Sequence, residues 1–164
     1  MAHTAAPSAR DSDAVMSPPA PETVKQAAAL PFRGRDEQLE VCFITTRTSG
    51  RWSIPKGFID PGDTAPVTAR KEAREEAGVH GRVVGSPVGY YEITKRGVRY
   101  TVVVYLLQVS RADARWNEQD CREQRRGTAD TAVQLLEGHP AEAVFRRGLT
   151  QITEHTVQRR RSTP

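Results

Sequence analysis

Glu72, Glu75 and Glu76 stand at i, i+3 and i+4 in the run A-R-K-E-A-R-E-E-A-G-V. At helical pitch that spacing puts all three carboxylates on one face. Three like charges so close repel one another, and a helix that needed only solvation would intersperse them with cations. Clustered hard oxygen donors suit a divalent cation such as Mg2+, with Mn2+ as a substitute. Mg2+ keeps several waters and bridges protein carboxylate to substrate phosphate. A solvated acidic face is the ordinary reading of an isolated E-x-x-E-E helix. What sets this one apart is the frame around it, a specific loop before and a specific stop after.

The loop holds Gly57, Pro61 and Gly62, which read as tight turns. Thr64 is placed to cap a helix, and Pro66 falls in its first turn, where a missing N–H costs nothing. Gly78 is the C-terminal stop. Pro66, Ala69, Ala73 and Ala77 recur at spacings of three and four, so a stripe of small residues runs beside the glutamates and predicts close approach to a sheet. Before this helix, 24–32 and 39–46 read as strands joined by a polar turn, the second being β-branched and apolar. Residues 52–56 run extended into the loop. After the helix, 81–93 gives one or two strands broken around Gly85-Ser86-Pro87. Lys95-Arg96-Gly97 is a hairpin turn, and 98–109 is a long strand. A polar segment fills 110–127. Thr128 caps a helix through Leu136, and a last helix starts at Pro140 with Ala143, Val144, Leu149 and Ile152 as its buried side. Tyr90 and Tyr91 are expected to pack, and Cys42 is expected to be a core thiol.

The stretch from Gly57 to Val79 resembles the Nudix box, G-x5-E-x7-R-E-U-x-E-E-x-G-U, with U a bulky apolar residue. Gly57, Glu72, Glu75, Glu76, Gly78 and Val79 match. Asp63 stands for Glu, Lys71 for Arg, and Ala73 is smaller than the usual U residue. Trp52, Pro55, Lys56 and Gly57 extend the likeness through W-x-x-P-K-G. Over about 24–150 the chain is similar to bacterial relatives of diphosphoinositol polyphosphate phosphohydrolases, a group also known for cleaving diadenosine polyphosphates. Trp116-Asn117-Glu118 and the run Arg122 to Arg126 belong to that wider likeness, although Gly127 stands where an aromatic is expected. The resemblance implies an α/β fold, a mixed β-sheet sandwiched between α-helices.

It also implies a Mg2+-dependent hydrolysis of a phosphoanhydride bond. Glu72, Glu75, Glu76 and the Gly57 carbonyl are the implied metal ligands, and Glu75 or Glu76 would orient or deprotonate the attacking water. Lys71, one turn before Glu75, is expected to steady that carboxylate as a point charge, not as the planar fork of arginine. The substrate phosphates need cations outside the box. Arg33, Arg35, Arg47, Arg51 and Lys56 lie on loops leading to it, and Arg51 and Lys56 are the first choices, followed by Arg47 and Arg33. Glu118 or Glu123 is a more remote choice for a base. His80, His139 and His155 have no ligand spacing. A nucleoside triphosphate pyrophosphatase and an RNA 5′-end pyrophosphohydrolase share the box and stay open. A non-catalytic binding module would have no physical need for three repelling carboxylates.

The 164 residues suit one domain with tails. Residues 1–22, rich in Ala, Ser and Pro, read as a disordered leader without a secretory pattern. The domain is expected over 23–157, and 158–164 is a basic tail. A net charge of +4 favours an anionic small-molecule partner. Nucleic acid is admitted but not favoured, because no aromatic-rich stacking segment accompanies the charge. No apolar run approaches membrane-spanning length. Two isolated cysteines, Cys42 and Cys121, point to a reduced, cytoplasmic setting. Oligomeric state is not encoded in any of these features.

Overall fold

The first strand, β1 (Thr23–Arg33), is where the sheet is joined together. One of its edges pairs in parallel with β6 (Val98–Ala112). Its other edge is shared. The N-terminal half pairs antiparallel with β4 (Lys56–Phe58), and the C-terminal end pairs with β2 (Glu40–Thr45). The outer strands are β3 (Trp52–Ser53) on β2, and β5 (Val79–Lys95) on β6. β7 (Gln124–Gly127) also pairs with β2, which completes a mixed seven-stranded sheet. The structure, a computed structural model, describes residues 23–161; the predicted leader lies outside them.

The alanines of β1 split the core in two. Ala27 and Ala29 face one layer with Cys42, Ile44, Tyr105 and Leu107, under helix α1 (Ala65–Ala77). Ala28, Leu30 and Phe32 face the other, with Val41, Phe43, Val102 and Val104. That second face is covered by α2 (Ala129–Leu135) and α3 (Glu142–Arg161). Strand alternation alone produces this division. The result is the expected mixed sheet between helices. On α1, Ala69, Ala73 and Ala77 are fully buried against the sheet. Thr64 occupies the N-cap position with extended backbone but makes no side-chain cap bond. Gly78 ends the helix at φ 61°, the left-handed region that glycine favours.

Several details differ from the sequence expectation. β5 is one strand, and its Gly85-Ser86-Pro87 break becomes a bulge, since Val84 pairs with Leu106 while Gly89 pairs with Val104. The polar segment contains β7, which no β-branched pattern announced. Tyr91 is buried, but Tyr90 is 67% exposed because neighbours on a strand face opposite ways. Among the described side chains of α3 the buried apolar ones are Phe145 and Ile152, with Ala141 just ahead of the helix, whereas Ala143 is exposed. α3 runs to Arg161, past the domain boundary expected at 157.

Candidate active site

Gly57 stands opposite Ala27 on β1, so it faces α1. The Glu72 carboxylate lies directly against it: a Cβ at position 57 would sit 2.2 Å from Glu72 Oε1. Only glycine permits this approach. Glu76, one turn further on, is buried at 6% exposure. Its Oε2 accepts the Lys56 backbone N–H at 3.0 Å, and its Oε1 accepts from Arg122 Nη2. Glu75, between them, is half-buried with Arg74 Nη2 3.8 Å away.

The C-terminal turn of α1 is finished by the segment 113–124. Trp116 Nε1–H donates to Glu76 O at 3.1 Å, and Glu118 N–H to Glu75 O at 3.1 Å. The Gln124 side-chain amide donates to Ala77 O, and Asp113 N–H to Gly78 O at 2.8 Å. These bonds fill carbonyls that a helix end leaves open. They also seat the glutamate pair in a helix end whose own partial charge is negative, a placement that disfavours carboxylates electrostatically.

Burial pushes the Glu76 carboxyl up to about 7, aided by Glu72 and Glu118 and opposed by Arg122 and the Lys56 N–H. Glu72 is raised as well, first by burial and then by Glu75. Among the described residues no three His, Cys, Asp or Glu side chains converge as a metal cluster. Glu76 is turned to Arg122 and the Lys56 N–H. The remaining features fit a hard cation. The donors are all oxygens, a glycine cradle holds Glu72, and burial, followed by repulsion from neighbouring glutamates, raises carboxylates that a cation would draw back to the charged form.

Beside Glu76 a hollow of about 130 Å3 is lined by Arg47, Lys56, Glu76, Lys95 and Arg122. It adjoins a cavity of about 700 Å3, sharing Thr46, Ser53, Lys56 and Lys95 with it. Arg51, Trp52 and His139 line the larger space. The Lys56 ammonium is lowered from its usual range, by burial first and by Lys95 next. His139 Nδ1 accepts the Ala141 N–H at 2.9 Å, so the neutral ring carries its proton on Nε2, 3.3 Å from Ser53 Oγ. Burial, with Lys56, Arg51 and Lys95, lowers His139 to about 4.

Of the cations chosen from sequence, Arg51 and Lys56 line the large cavity and Arg47 the small one, with Arg47 3.6 Å from Glu118. Arg33 is a correction. It lies six residues along β1 from the partner of Gly57, roughly 20 Å at strand rise, and pairs with Glu40 at 3.2 Å. Lys71 also differs from expectation: its Nζ bonds Asp60 Oδ2 at 3.1 Å instead of Glu75. The Asp60 carboxylate in the turn before the helix is the closer anion, and the Glu75 charge acts on Lys71 only as a lesser influence. Asp63 makes no side-chain hydrogen bond among the described residues. Sequence reasoning gave Arg122, Trp116, Gln124, Lys95 and His139 no place in the site. A lone tryptophan inside a polar segment was the available signal.

A sequence profile described as NUDIX domain matches residues 23–147. The chain belongs to the Nudix family. It is 31% identical to rat diphosphoinositol polyphosphate phosphohydrolase 2 over 94 residues, 57% of this chain and 51% of that protein. The chain thus spans about half the length of that relative. It is 28% identical to human diphosphoinositol polyphosphate phosphohydrolase 3-alpha over 117 residues, 70% of each protein. In solved structures, the fold matches an Ap4A hydrolase binary complex from C. elegans with TM-score 0.65 at 18% identity, covering 77% of this chain and 96% of that one. No helix among the described residues is long and apolar enough to cross a membrane.

Proposed function

We propose that this Nudix chain is a metal-dependent phosphoanhydride hydrolase of anionic small-molecule polyphosphates, of the diadenosine or diphosphoinositol polyphosphate type. The observation that carries this reading is the junction of three helix carboxylates with a cation-lined cavity through Lys56 and Glu76. Glu72, Glu75, Glu76 and the Gly57 carbonyl would hold Mg2+, or Mn2+ in its place. When bound, the ion would neutralise phosphate charge and acidify a water. The protein supplies the rest. Arg51 and Lys56, with Arg47 at the smaller hollow, bind and orient the phosphates for in-line attack. Glu75, whose carboxylate makes no hydrogen bond among the described residues and has Arg74 3.8 Å away, orients the attacking water and receives its proton. Lys71 anchors the loop ahead of the helix through Asp60 and adds a secondary positive charge near Glu75. Half-burial of Lys56 strengthens its pull on phosphate by excluding solvent. The two unpaired cysteines suit a reducing cytoplasm.

The test is product analysis with Mg2+ on diadenosine polyphosphates, a diphosphoinositol phosphate, nucleoside triphosphates and a 5′-triphosphate RNA. Glu75→Gln serves as the control. Metal-dependent cleavage that drops at least about 100-fold in Glu75→Gln is expected, as for loss of several kcal/mol of charge stabilisation. Turnover that persists in the variant, or in excess chelator, would overturn the assignment.

A further inference from the structure

Arg122 stands 46 residues beyond Glu76 in sequence, in a polar segment with no box motif, yet its side chain is only 10% exposed. Each of its nitrogens used here has a different acceptor. Nη2 donates to Glu76 Oε1, Nε to Glu118 Oε2, and Nη1 to the Thr45 carbonyl at 2.9 Å. The three acceptors come from α1, from the 113–124 segment and from the end of β2. Glu123 N–H adds a bond to Thr45 Oγ1 at 2.9 Å, which holds the backbone beside Arg122 on the same strand end. A planar guanidinium spreads its donors over three nitrogens in a fixed plane, so it reaches three separated acceptors where an ammonium offers a single nitrogen.

With Lys56 N–H on Oε2 and Arg122 on Oε1, both oxygens of Glu76 are fixed. The box position that usually carries arginine is Lys71 here, and its ammonium is turned to Asp60. Arg74 of the helix lies 3.8 Å from Glu75, so no side chain of the helix itself reaches Glu76, and the fork on that carboxylate arrives from outside the box.

We infer that Arg122 is the positioning residue of the site: it locks Glu76 in one rotamer and ties the carboxylate cluster to the segment that caps α1. This rests on the metal-dependent reading above. It makes a prediction opposite in sign to its simplest rival, that Arg122 is only a stand-in cation occupying a metal site. A positioning residue aids metal binding, and its loss weakens it. A competing cation opposes metal binding, and its loss tightens it.

The experiment measures Mn2+ affinity by electron paramagnetic resonance, and kcat and KM separately, on the full chain. It compares the wild type with Arg122→Gln and Arg122→Lys, each checked for fold by circular dichroism. In Arg122→Gln, Mn2+ binding is expected to weaken about 10-fold and kcat to fall about 10- to 100-fold, the weight of one charge-assisted hydrogen bond. KM should change less than kcat, because Arg122, although it lines the smaller hollow, has its nitrogens taken by Glu76, Glu118 and the Thr45 carbonyl. Arg122→Lys keeps the charge but offers one nitrogen to three acceptors, so it should fold and still bind Mn2+ several-fold more weakly than wild type. If Arg122→Gln fails to fold by stranding a buried carboxylate, Arg122→Lys decides alone. Tighter Mn2+ binding in either folded variant, or wild-type affinity and kcat in Arg122→Lys, would overturn the inference. A wild type that neither binds Mn2+ nor turns over the substrate panel would instead defeat the proposed function beneath it.

Discussion

The two faces of the sheet are built from different materials. Under α1 five alanines, Ala27, Ala29, Ala69, Ala73 and Ala77, are fully buried beside Cys42, Ile44, Tyr105 and Leu107, and these small residues let helix and sheet backbones approach closely. Under α2 and α3 the contacts are large, with Phe43 and Phe145 meeting edge-on at 5.7 Å. Closeness on the first face brings helix carboxylates down onto a strand glycine. Bulk on the second face holds a helix away and leaves room at its edge for the cavity with Trp52 and His139. The same strand, β1, serves both faces with successive alanines and leucine. A close carboxylate–glycine contact and an open cavity therefore call for opposite packing, and one alternating strand supplies both.

This contrast can be broken on either side. The largest stability effect belongs to the bulky face. Phe145→Ala should cost about 3–5 kcal/mol in urea unfolding, while the folded fraction keeps its Mn2+ affinity. On the close face Gly57→Ala should leave stability nearly unchanged but displace Glu72. Metal-dependent kcat should fall about 100-fold, or roughly 2.7 kcal/mol. Retained activity there would mean that the contact between Gly57 and Glu72 is incidental. Ala73→Leu should lift α1, costing about 1–3 kcal/mol by overpacking and lowering turnover with it.

The smallest effect sharpens the comparison through pH. His139 has a folded value of about 4, below its ordinary 6.5, so the unfolded chain takes up a proton that the folded chain refuses. Stability that is complete above about pH 6.5 is therefore lost progressively as pH falls towards 4. The contribution is on the order of 1–2 kcal/mol once partial exposure is allowed for. His139→Asn keeps an acceptor for Ala141 N–H and should flatten this slope in urea midpoints taken from pH 7 to 4.5. An unchanged slope would assign it to the carboxylates.

The close face was legible because its instructions are local. Alanine spacing, the proline near the start, the glycine stop and the three glutamates all lie within one stretch, and each has a physical reason at that position. The bulky face was legible in part. Ile152 is buried and Val144 and Leu149 pack against the core as expected, but Phe145, between Val144 and Arg146, takes the buried place expected of Ala143. β7 was invisible because Gln124-Arg125-Arg126-Gly127 carries no strand pattern; the open edge of β2 recruits its backbone, not its side chains. Arg122 belongs to the run that carries the wider likeness, yet the likeness gives it no role in the site. Its burial depends on where that segment docks, which no spacing rule encodes. Arg33 failed for the opposite reason: nearness in sequence to the box says nothing about which end of a strand a residue occupies.

The distance along the chain between Glu76 and Arg122 has a further consequence, in time. At roughly 5–20 residues per second of synthesis, the 46 residues that separate them take about 2–9 s to appear. β6, the parallel partner of β1, is made in the same interval. A nascent chain therefore carries its glutamate cluster before it has either the strand that completes the sheet's centre or the guanidinium that steadies Glu76. The motif is written early, and the fold around it is finished late.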